Sequence, residues 1–224
     1  MKITILTLFP EMLAGPFDHS IIKRAREDGK LTIEYVHIRD FGIGTHKMAD
    51  DKPYGGGVGM VLRADVVIPA IQKSKCSSAC NEKIFLMDAG GEKFTQKIAQ
   101  DLSILDHLIL ICGHYEGVDE RVVEYIDGKI SIGDYILTGG ELPAMVITDA
   151  VCRLIPGILG KDDSSKEESF SEGLLEYPHY TRPEIFDEKK VPEILLSGNH
   201  SKINEWRKEQ QINRTKKIRP DLLS

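Results

Sequence analysis

The sequence predicts a layered α/β fold built around a mostly parallel β-sheet. Strand-type and helix-type segments alternate over the first 155 residues, which is the pattern of repeated βαβ units. The run HLILIC at 107–112 is apolar throughout, as expected for a strand that is covered on both faces. No apolar stretch approaches the roughly 20 residues that a membrane-spanning helix needs. These observations favour a globular α/β protein and argue against a membrane protein.

The spacing of apolar residues gives the order of the elements. It predicts strands at 3–8, 31–38, 83–88, 107–112 and 129–132, and helices at 17–28, 64–73, 95–104, 118–126 and 141–155. Gly29 ends the first helix, and Thr138 with Glu141 fits the S/T-x-x-E pattern that caps a helix start. Residues 40–62 are rich in Gly, Asp and His and show no periodicity. An irregular segment of about 20 residues within a compact domain is often functional.

The composition changes after Pro156 and Gly157. Residues 160–173 are polar, acidic and rich in serine, which is typical of a linker. Residues 192–223 then predict short helices with scattered apolar positions. We therefore predict an α/β domain at 1–160, a flexible acidic linker at 161–173 and a small helical domain at 174–224.

Charge is unevenly distributed along the chain. The net charge is −6, which by itself argues mildly against a nucleic-acid partner. Residues 198–224, however, carry seven Lys/Arg against three Asp/Glu. Because salt screens charges beyond about 10 Å, a local basic segment is sufficient for contact with phosphates. A solvated helix surface explains the same charges equally well.

The four cysteines are predicted to be free thiols in a cytoplasmic protein. The amino-terminal apolar run is too short for a signal peptide, and nothing else suggests export. Cys76 and Cys80 lie close together in the sequence, which is one feature of a metal site. Because no second Cys/His pair has matching spacing, we interpret this segment as a plain loop.

Two glycine-containing turns stand out among the possible binding sites. No Walker P-loop, H-E-x-x-H, G-x-S-x-G or G-x-G-x-x-G motif is present. Residues 108–122 and 131–145 each end a predicted strand in a glycine turn. Such turns expose backbone N–H and C=O groups at the strand ends, where α/β sheets hold small ligands. The spacing is compatible with an adenosyl-type site, and ordinary βα turns remain the alternative.

An ordered series of motifs over nearly the whole chain resembles the bacterial tRNA (guanine-N1)-methyltransferases of the SPOUT superfamily. The motifs are DDKPYGGGVGM (50–60), LICGHYEGVDERV (110–122), SIGDYILTGGELPAM (131–145), RLIPG (153–157), LLEYPHYTRP (174–183) and GNHSKINEWRKEQQINRT (198–215). The resemblance implies a SPOUT-type sheet with a deep trefoil knot and a homodimer with shared active sites. It also implies methyl transfer from S-adenosylmethionine to N1 of guanosine-37 in tRNA, next to the anticodon.

The resemblance also assigns residues to the methyl donor. The implied cofactor-binding residues all lie at the predicted strand ends and in the turns that follow them. They are Leu86, Gly113, Tyr115, Glu116, Gly117, Ser131, Ile132, Gly133, Asp134, Tyr135, Ile136, Leu137, Gly139 and Gly140.

Methylation of guanine N1 requires a base, because this nitrogen carries a proton at neutral pH, and a cation near O6, where negative charge then develops. By resemblance, Glu168 is the base, in a position where the family usually has Asp, and Glu167 is the reserve candidate. Arg153 is the implied cation, although it could instead cap the carboxyl end of a helix. The sequence shows no ligand set for a metal, and a role for Mg²⁺ stays open.

The resemblance assigns a second set of residues to the tRNA. The target base must leave the helix stack, because N1 lies on its pairing edge. The implied substrate-binding residues are His46, Asp50, Tyr54, Gly55, Glu116, His179, Thr181, Arg182 and Arg214. Trp206, Arg207, Lys216, Lys217 and Arg219 are expected near the anticodon stem, with core packing the better role for Trp206 alone.

Two other functions are compatible with parts of this pattern. One is a knotted methyltransferase that acts on ribose or on ribosomal RNA, although ribose has no N1 proton for Glu116 and a linker carboxylate to remove. The other is an RNA-binding module without chemistry, which the replacement of Asp by Glu168 would favour and the retained Arg153 argues against.

Overall fold

The structure of this chain is a computed structural model that describes residues 1–159, 168–171 and 173–223. The chain divides into two compact units, Met1–Gly160 and Lys161–Ser224. Within the described ranges, no helix combines the length and apolar character needed to cross a bilayer.

The first unit is built on a five-stranded sheet whose paired strands all run parallel. The strands are β1 (Lys2–Thr7), β2 (Thr32–His37), β5 (Glu82–Lys93), β6 (His107–Cys112) and β7 (Gly128–Ser131), in the order β2-β1-β6-β5-β7. The predicted parallel α/β sheet is therefore confirmed. The two strands of the aperiodic segment, β3 (Asp50–Asp51) and β4 (Val61–Leu62), form a separate antiparallel pair.

The central strand β6 divides the core into two layers. Leu108 and Leu110 face one apolar cluster, and Ile109 and Ile111 face the other, and all four are fully buried. Helices α1 (Ser20–Glu27), α3 (Gln96–Ser103) and α4 (Glu141–Cys152) pack in the first cluster, and α2 (Ala64–Ser74) packs in the second. Burial on both faces explains why this strand is apolar at every position.

Several local predictions need correction. The helix predicted at 118–126 is a 3₁₀ helix at Glu120–Tyr125, and the strand predicted at 83–88 continues to Lys93. The predicted cap at Thr138 is wrong, because the residue that precedes α4 is Gly140, without a side-chain cap. Glu141 instead accepts a hydrogen bond from the Thr7 hydroxyl at 2.6 Å. The carboxylate of Glu141 therefore pairs with Thr7, a residue distant in sequence, and Thr138 does not cap the helix.

The cysteine prediction is wrong for one pair. Cys76 and Cys80 form a disulfide in the loop between α2 and β5, where their Cα atoms lie 6.5 Å apart. Cys112 and Cys152 are free and buried. Burial raises the pKa of Cys112 well above its ordinary value and raises the pKa of Cys152 to about 12, so both remain thiols at neutral pH.

The second unit contains one long helix where short ones were predicted. A two-residue hairpin, β8 (Ile185–Phe186) with β9 (Lys189–Lys190), precedes α5 (Glu193–Leu196) and the 19-residue α6 (His200–Ile218). The Asn199 side chain caps α6 by accepting from the Lys202 backbone N–H. Most of the predicted linker, 160–167 and 172, lies outside the described residues.

Candidate functional site

A cleft lies at the carboxyl edge of the parallel sheet. It is bordered by the ends of β6 and β7 and by residues 86–89 of β5. Its cavity volume is about 240 Å³, and part of the cleft is open to solvent. Small ligands of α/β proteins bind outside the carboxyl ends of the strands. The position of the cleft therefore suits a small-molecule ligand.

The turn that follows β6 is held by backbone hydrogen bonds from two sides. The Glu116 N–H donates to Met60 O at 3.0 Å, and the Leu62 N–H donates to Gly117 O at 2.9 Å. On the other side, the Gly140 N–H donates to Gly113 O at 2.8 Å. These bonds fix the turn with Tyr115 at a φ of +58°, which is uncommon for a residue with a side chain. The turn is therefore a preformed wall of the cleft.

Gly140 is required by the close approach of two chain segments. A Cβ atom at this position would lie 2.6 Å from Cys112 Cα and 2.8 Å from Gly113 N. Both atoms are backbone atoms at the end of a buried strand, so neither can move aside easily. The absence of a side chain brings the 139–140 turn onto the end of β6.

The turn that follows β7 supplies the opposite wall. The Ser131 hydroxyl donates to Gly133 O at 3.1 Å and accepts from Gly133 N at 3.3 Å. Beyond it, Ile136 and Leu137 are exposed apolar side chains, 82% and 37% accessible, and both line the cleft. Exposed apolar side chains at the wall of a cleft can pack against the face of a flat aromatic ligand.

A buried carboxylate lies directly behind this wall. Glu141 is fully buried, and its Oε1 accepts from the Thr7 hydroxyl, which in turn accepts from the Phe9 N–H at 2.9 Å. Its Oε2 lies 3.9 Å from Nδ1 of His114, and neither atom has a hydrogen-bond partner among the described residues. The sequence pattern assigned Glu141 to a helix cap, so this role was missed; a buried acid 134 residues from its partner leaves no local signal.

Thirteen of the fourteen residues predicted to bind the cofactor line this cleft. The exception is Asp134, whose side chain is 90% exposed and whose carboxylate lies 3.7 Å from Lys93 Nζ. Contact between this side chain and a ligand in the cleft is not supported. The cleft also contains lining residues that were not predicted, among them His114, Thr138 and Pro143.

Glu116 lines the cleft, and its side chain also contacts the glycine-rich loop. Its side chain packs so closely on Gly59 that a Cβ there would lie 2.5 Å from its Oε1. Tyr54 is fully exposed on the same loop and borders a second depression with Arg121. His46 is exposed, and Asp50 lies in β3. The structure therefore brings Glu116 to the loop of Gly55–Gly59 but leaves His46 and Tyr54 open to solvent.

Arg153 lies far from the cleft of its own chain. It follows the last residue of α4, whereas Glu141 at the first residue of α4 lies beside the cleft. A helix of 12 residues is about 18 Å long. The Arg153 N–H donates to Asp149 O at 3.2 Å, as expected at a helix end. One chain does not bring Arg153 together with the predicted donor residues.

The predicted RNA-binding residues of the second unit lie around an aromatic cluster. The Arg207 guanidinium stacks over Tyr177 at 4.7 Å, and the ring centroids of Tyr180 and Trp206 are 6.4 Å apart. Trp206 is half-buried, which fits packing within this unit. Thr181 and Arg182 are exposed beside the cluster, as is His179, and Arg214 is half-buried on α6.

Glu168 belongs to a segment that is anchored to α6. Leu175 N donates to the Thr215 hydroxyl at 2.9 Å, and Glu176 N donates to the Ser169 hydroxyl at 3.0 Å. Glu168 is half-buried, and its carbonyl accepts from Ser171 N at 3.2 Å. Glu167, the reserve candidate for the base, lies outside the described residues.

Comparison with known proteins gives one consistent result. The family model described as tRNA (Guanine-1)-methyltransferase TrmD matches residues 1–224. Three relatives carry the name tRNA (guanine-N(1)-)-methyltransferase. The protein of Carboxydothermus hydrogenoformans is 57% identical over the whole chain and 87% of its own length. Those of Staphylococcus carnosus and Dictyoglomus turgidum are 53% and 52% identical over the whole chain and 91% and 90% of their lengths.

Gly140→Ala is expected to lower the free energy of unfolding by about 1–3 kcal/mol, because the new methyl group meets backbone at the end of β6. Gly90→Ala is the matched control, since the nearest atom there is the flexible Asp88 carboxylate at 3.4 Å, and a change within about 0.5 kcal/mol is expected. Urea denaturation followed by circular dichroism measures both. Equal stability of the two variants would contradict the close approach.

Thr7→Val is expected to cost about 1–3 kcal/mol of unfolding free energy, because the buried Glu141 carboxylate loses the hydroxyl that donates to it. Thr32→Val, on the exposed face of β2, is the control, with an expected change within about 0.5 kcal/mol. Urea denaturation at neutral pH provides the comparison. If Thr7→Val is neutral, the hydrogen bond does not stabilise the floor of the cleft.

Proposed function

This chain belongs to the tRNA (guanine-1)-methyltransferase family, and from that premise we propose how its residues transfer a methyl group from S-adenosylmethionine to N1 of guanosine-37 in tRNA. The reaction is that of the family; the assignment of residues is our proposal. The single observation that carries the assignment is the cleft at the carboxyl edge of the sheet, which the two glycine-containing turns border.

We assign the cleft to S-adenosylmethionine. Apolar side chains such as Leu86, Ile132 and Leu137 border it, next to turns whose backbone groups can pair with the edge of adenine. The fixed Tyr115 turn and the 139–140 turn require no rearrangement before binding, which lowers the entropic cost of holding the donor. When bound, the sulfonium supplies an activated methyl group, so the protein needs chiefly to align it.

The guanine base requires more chemistry than the donor. In the proposed assignment, Glu168 removes the N1 proton, and Arg153 stabilises the negative charge that develops on O6. Glu keeps the charge of the Asp that the family usually has and adds one methylene, so the carboxylate reaches N1 through a different rotamer. Glu116, packed on Gly59 at the rim of the cleft, is placed to accept from guanine N–H groups. Adenine presents no N1 proton, which makes Glu116 a determinant of base choice.

The length of α4 supports an active site made from two chains. The helix separates Arg153 from the cleft by about 18 Å within one chain. Side chains of arginine cannot span that distance, so we propose a homodimer in which Arg153 and Glu168 of one copy act at the cleft of the other. The trefoil knot remains a prediction that the same resemblance carries.

The second unit is proposed to hold the tRNA. His179, Thr181 and Arg182 are exposed, and the basic side chains of α6, including Arg214, supply positive charge for phosphates. We also retain the cytoplasm as the location and leave the role of Mg²⁺ open. Methylation of ribose and a module without chemistry have no support from the relatives, whose name specifies guanine N1.

Glu168→Gln is expected to lower kcat by about 10²–10⁴-fold, because the amide cannot take the N1 proton, while the affinity for S-adenosylmethionine stays unchanged. Glu184→Gln, at an exposed position of the same unit, is the control and should retain full activity. Steady-state assays with labelled donor and a transcript bearing G37 give kcat, and calorimetry gives donor affinity. Near-normal turnover of Glu168→Gln would remove Glu168 from this role.

A mixing experiment tests the shared site. Arg153→Ala keeps an intact cleft, and Leu137→Arg blocks the cleft but keeps Arg153; each variant alone should be inactive. If the site is shared, co-refolding equal amounts restores about a quarter of wild-type activity, since half of the dimers contain one complete site. If both functions reside in one chain, no activity returns. Methylation of an A37 transcript, or product mapping to a sugar oxygen, would overturn the reaction itself.

A further inference from the structure

Three side chains with metal-binding atoms, those of Cys76, Cys80 and Glu82, lie together at the amino edge of the sheet, opposite the cleft, and His107 contacts two of them. Cys76 and Cys80 lie in the loop before β5, Glu82 is the first residue of β5, and His107 is the first residue of β6. Oε2 of Glu82 lies 2.7 Å from Nδ1 of His107, and Sγ of Cys76 lies 3.6 Å from the same nitrogen. The ligand atoms of Cys76, Cys80 and Glu82 all lie within 4.8 Å of one another.

We propose that reduction of the Cys76–Cys80 disulfide turns this cluster into a binding site for a thiophilic divalent cation, Zn²⁺. Two thiolates, one imidazole and one carboxylate are a complete tetrahedral set of the ligand types that Zn²⁺ accepts. The sulfur atoms must separate to roughly 3.7 Å, the spacing of two thiolates on one tetrahedral zinc ion. Cys76 and Cys80 both belong to the loop between α2 and β5, outside any helix or strand.

Two of the proposed ligands are largely buried, and one of them is oriented by a further hydrogen bond, as is common for residues that bind metal ions in proteins. His107 is 2% exposed and Glu82 14% exposed at the side chain, so two ligands are held in place before the ion arrives. Nε2 of His107 lies 2.8 Å from the buried hydroxyl of Thr4. A hydroxyl can donate or accept, so it can accept a hydrogen bond from Nε2–H when Nδ1 binds the ion. A hydrogen bond to the second ring nitrogen is the common way to orient a ligating histidine.

The chemistry balances with a thiol reductant. A dithiol attacks the Sγ–Sγ bond, becomes a disulfide itself, and leaves two thiols on Cys76 and Cys80. Zn²⁺ then binds both as thiolates, and their two protons pass to solvent. The ion binds Nδ1 of His107, and the single proton of the neutral imidazole is then carried on Nε2, so the histidine changes tautomer and keeps its charge.

The position of the cluster predicts a structural role. It connects the end of α2, through the loop, to the first residues of β5 and β6, whereas the cleft lies at the other ends of these strands. A closed four-coordinate site stabilises the fold and needs no open position for a substrate. Binding of the ion should raise the unfolding temperature of the reduced protein and leave kcat unchanged.

Cobalt(II) tests the proposal directly, because thiolate-to-cobalt charge transfer and tetrahedral ligand-field bands report both sulfur ligation and geometry. The full-length protein is reduced with a water-soluble phosphine, and the thiols of a separate aliquot are counted by alkylation. Co²⁺ is titrated into the unalkylated protein and then displaced with Zn²⁺. We expect one tetrahedral Co²⁺ per chain with thiolate charge transfer, and its loss on addition of one equivalent of Zn²⁺.

Three variants locate the ion. Cys80→Ser should weaken Co²⁺ binding and reduce the charge-transfer band, since only Cys76 can still supply a thiolate. Thr4→Val should weaken binding by about 10- to 100-fold through loss of the partner of His107. Cys152→Ala removes a thiol outside the cluster and should leave titration unchanged. Circular dichroism and methyl transfer confirm that each variant is folded. A disulfide that resists reduction, an octahedral cobalt spectrum, or full binding by Cys80→Ser would overturn the site, whatever the outcome for the methyl-transfer assignment.

Discussion

The contact between the 139–140 turn and the end of β6 is the constraint on which the rest of the cleft depends. Gly140 donates to Gly113 O, and no Cβ fits between the two segments. This contact sets where α4 begins, because Glu141 is its first residue. It also brings His114 opposite Gly139 as a bridged pair. Without it, the turns that follow β6 and β7, which lie on either side of β5, would be two separate loops with no common cleft.

The same contact explains how a carboxylate comes to be buried behind the cleft. Once α4 starts at the end of β6, Glu141 points toward β1, and the hydroxyl of Thr7 lies within 2.6 Å. Burying a polar group costs free energy unless it is hydrogen-bonded, so the bond between Thr7 and Glu141 joins β1 to the start of α4 beside the cleft. The position of β1 is thereby linked directly to the cleft through the side chain of Glu141.

The two edges of the parallel sheet carry different chemistry. At the carboxyl edge, backbone groups of glycine turns and apolar side chains form an open cleft. At the amino edge, sulfur, imidazole and carboxylate groups meet in a loop and at two strand starts. Parallel strands produce this separation, because all their starts lie on one side and all their ends on the other. The α4 helix crosses between the two edges. Its first turn lies beside the cleft, and Arg153, which follows its last residue, lies away from the cleft.

The sequence by itself determined the parallel sheet, the bounds of four of its five strands to within a residue or two, and the two glycine turns that line the cleft, because apolar periodicity and strand-ending glycines are local signals. It also suggested thirteen cleft residues through motif resemblance. Only the tertiary structure decided the partner of Glu141, the separation of Asp134 from the cleft, the packing of Glu116 on Gly59, and the meeting of Cys76 with His107. These contacts join residues that are distant in sequence or compete with a plausible local role, so their energies appear only when the whole chain is packed.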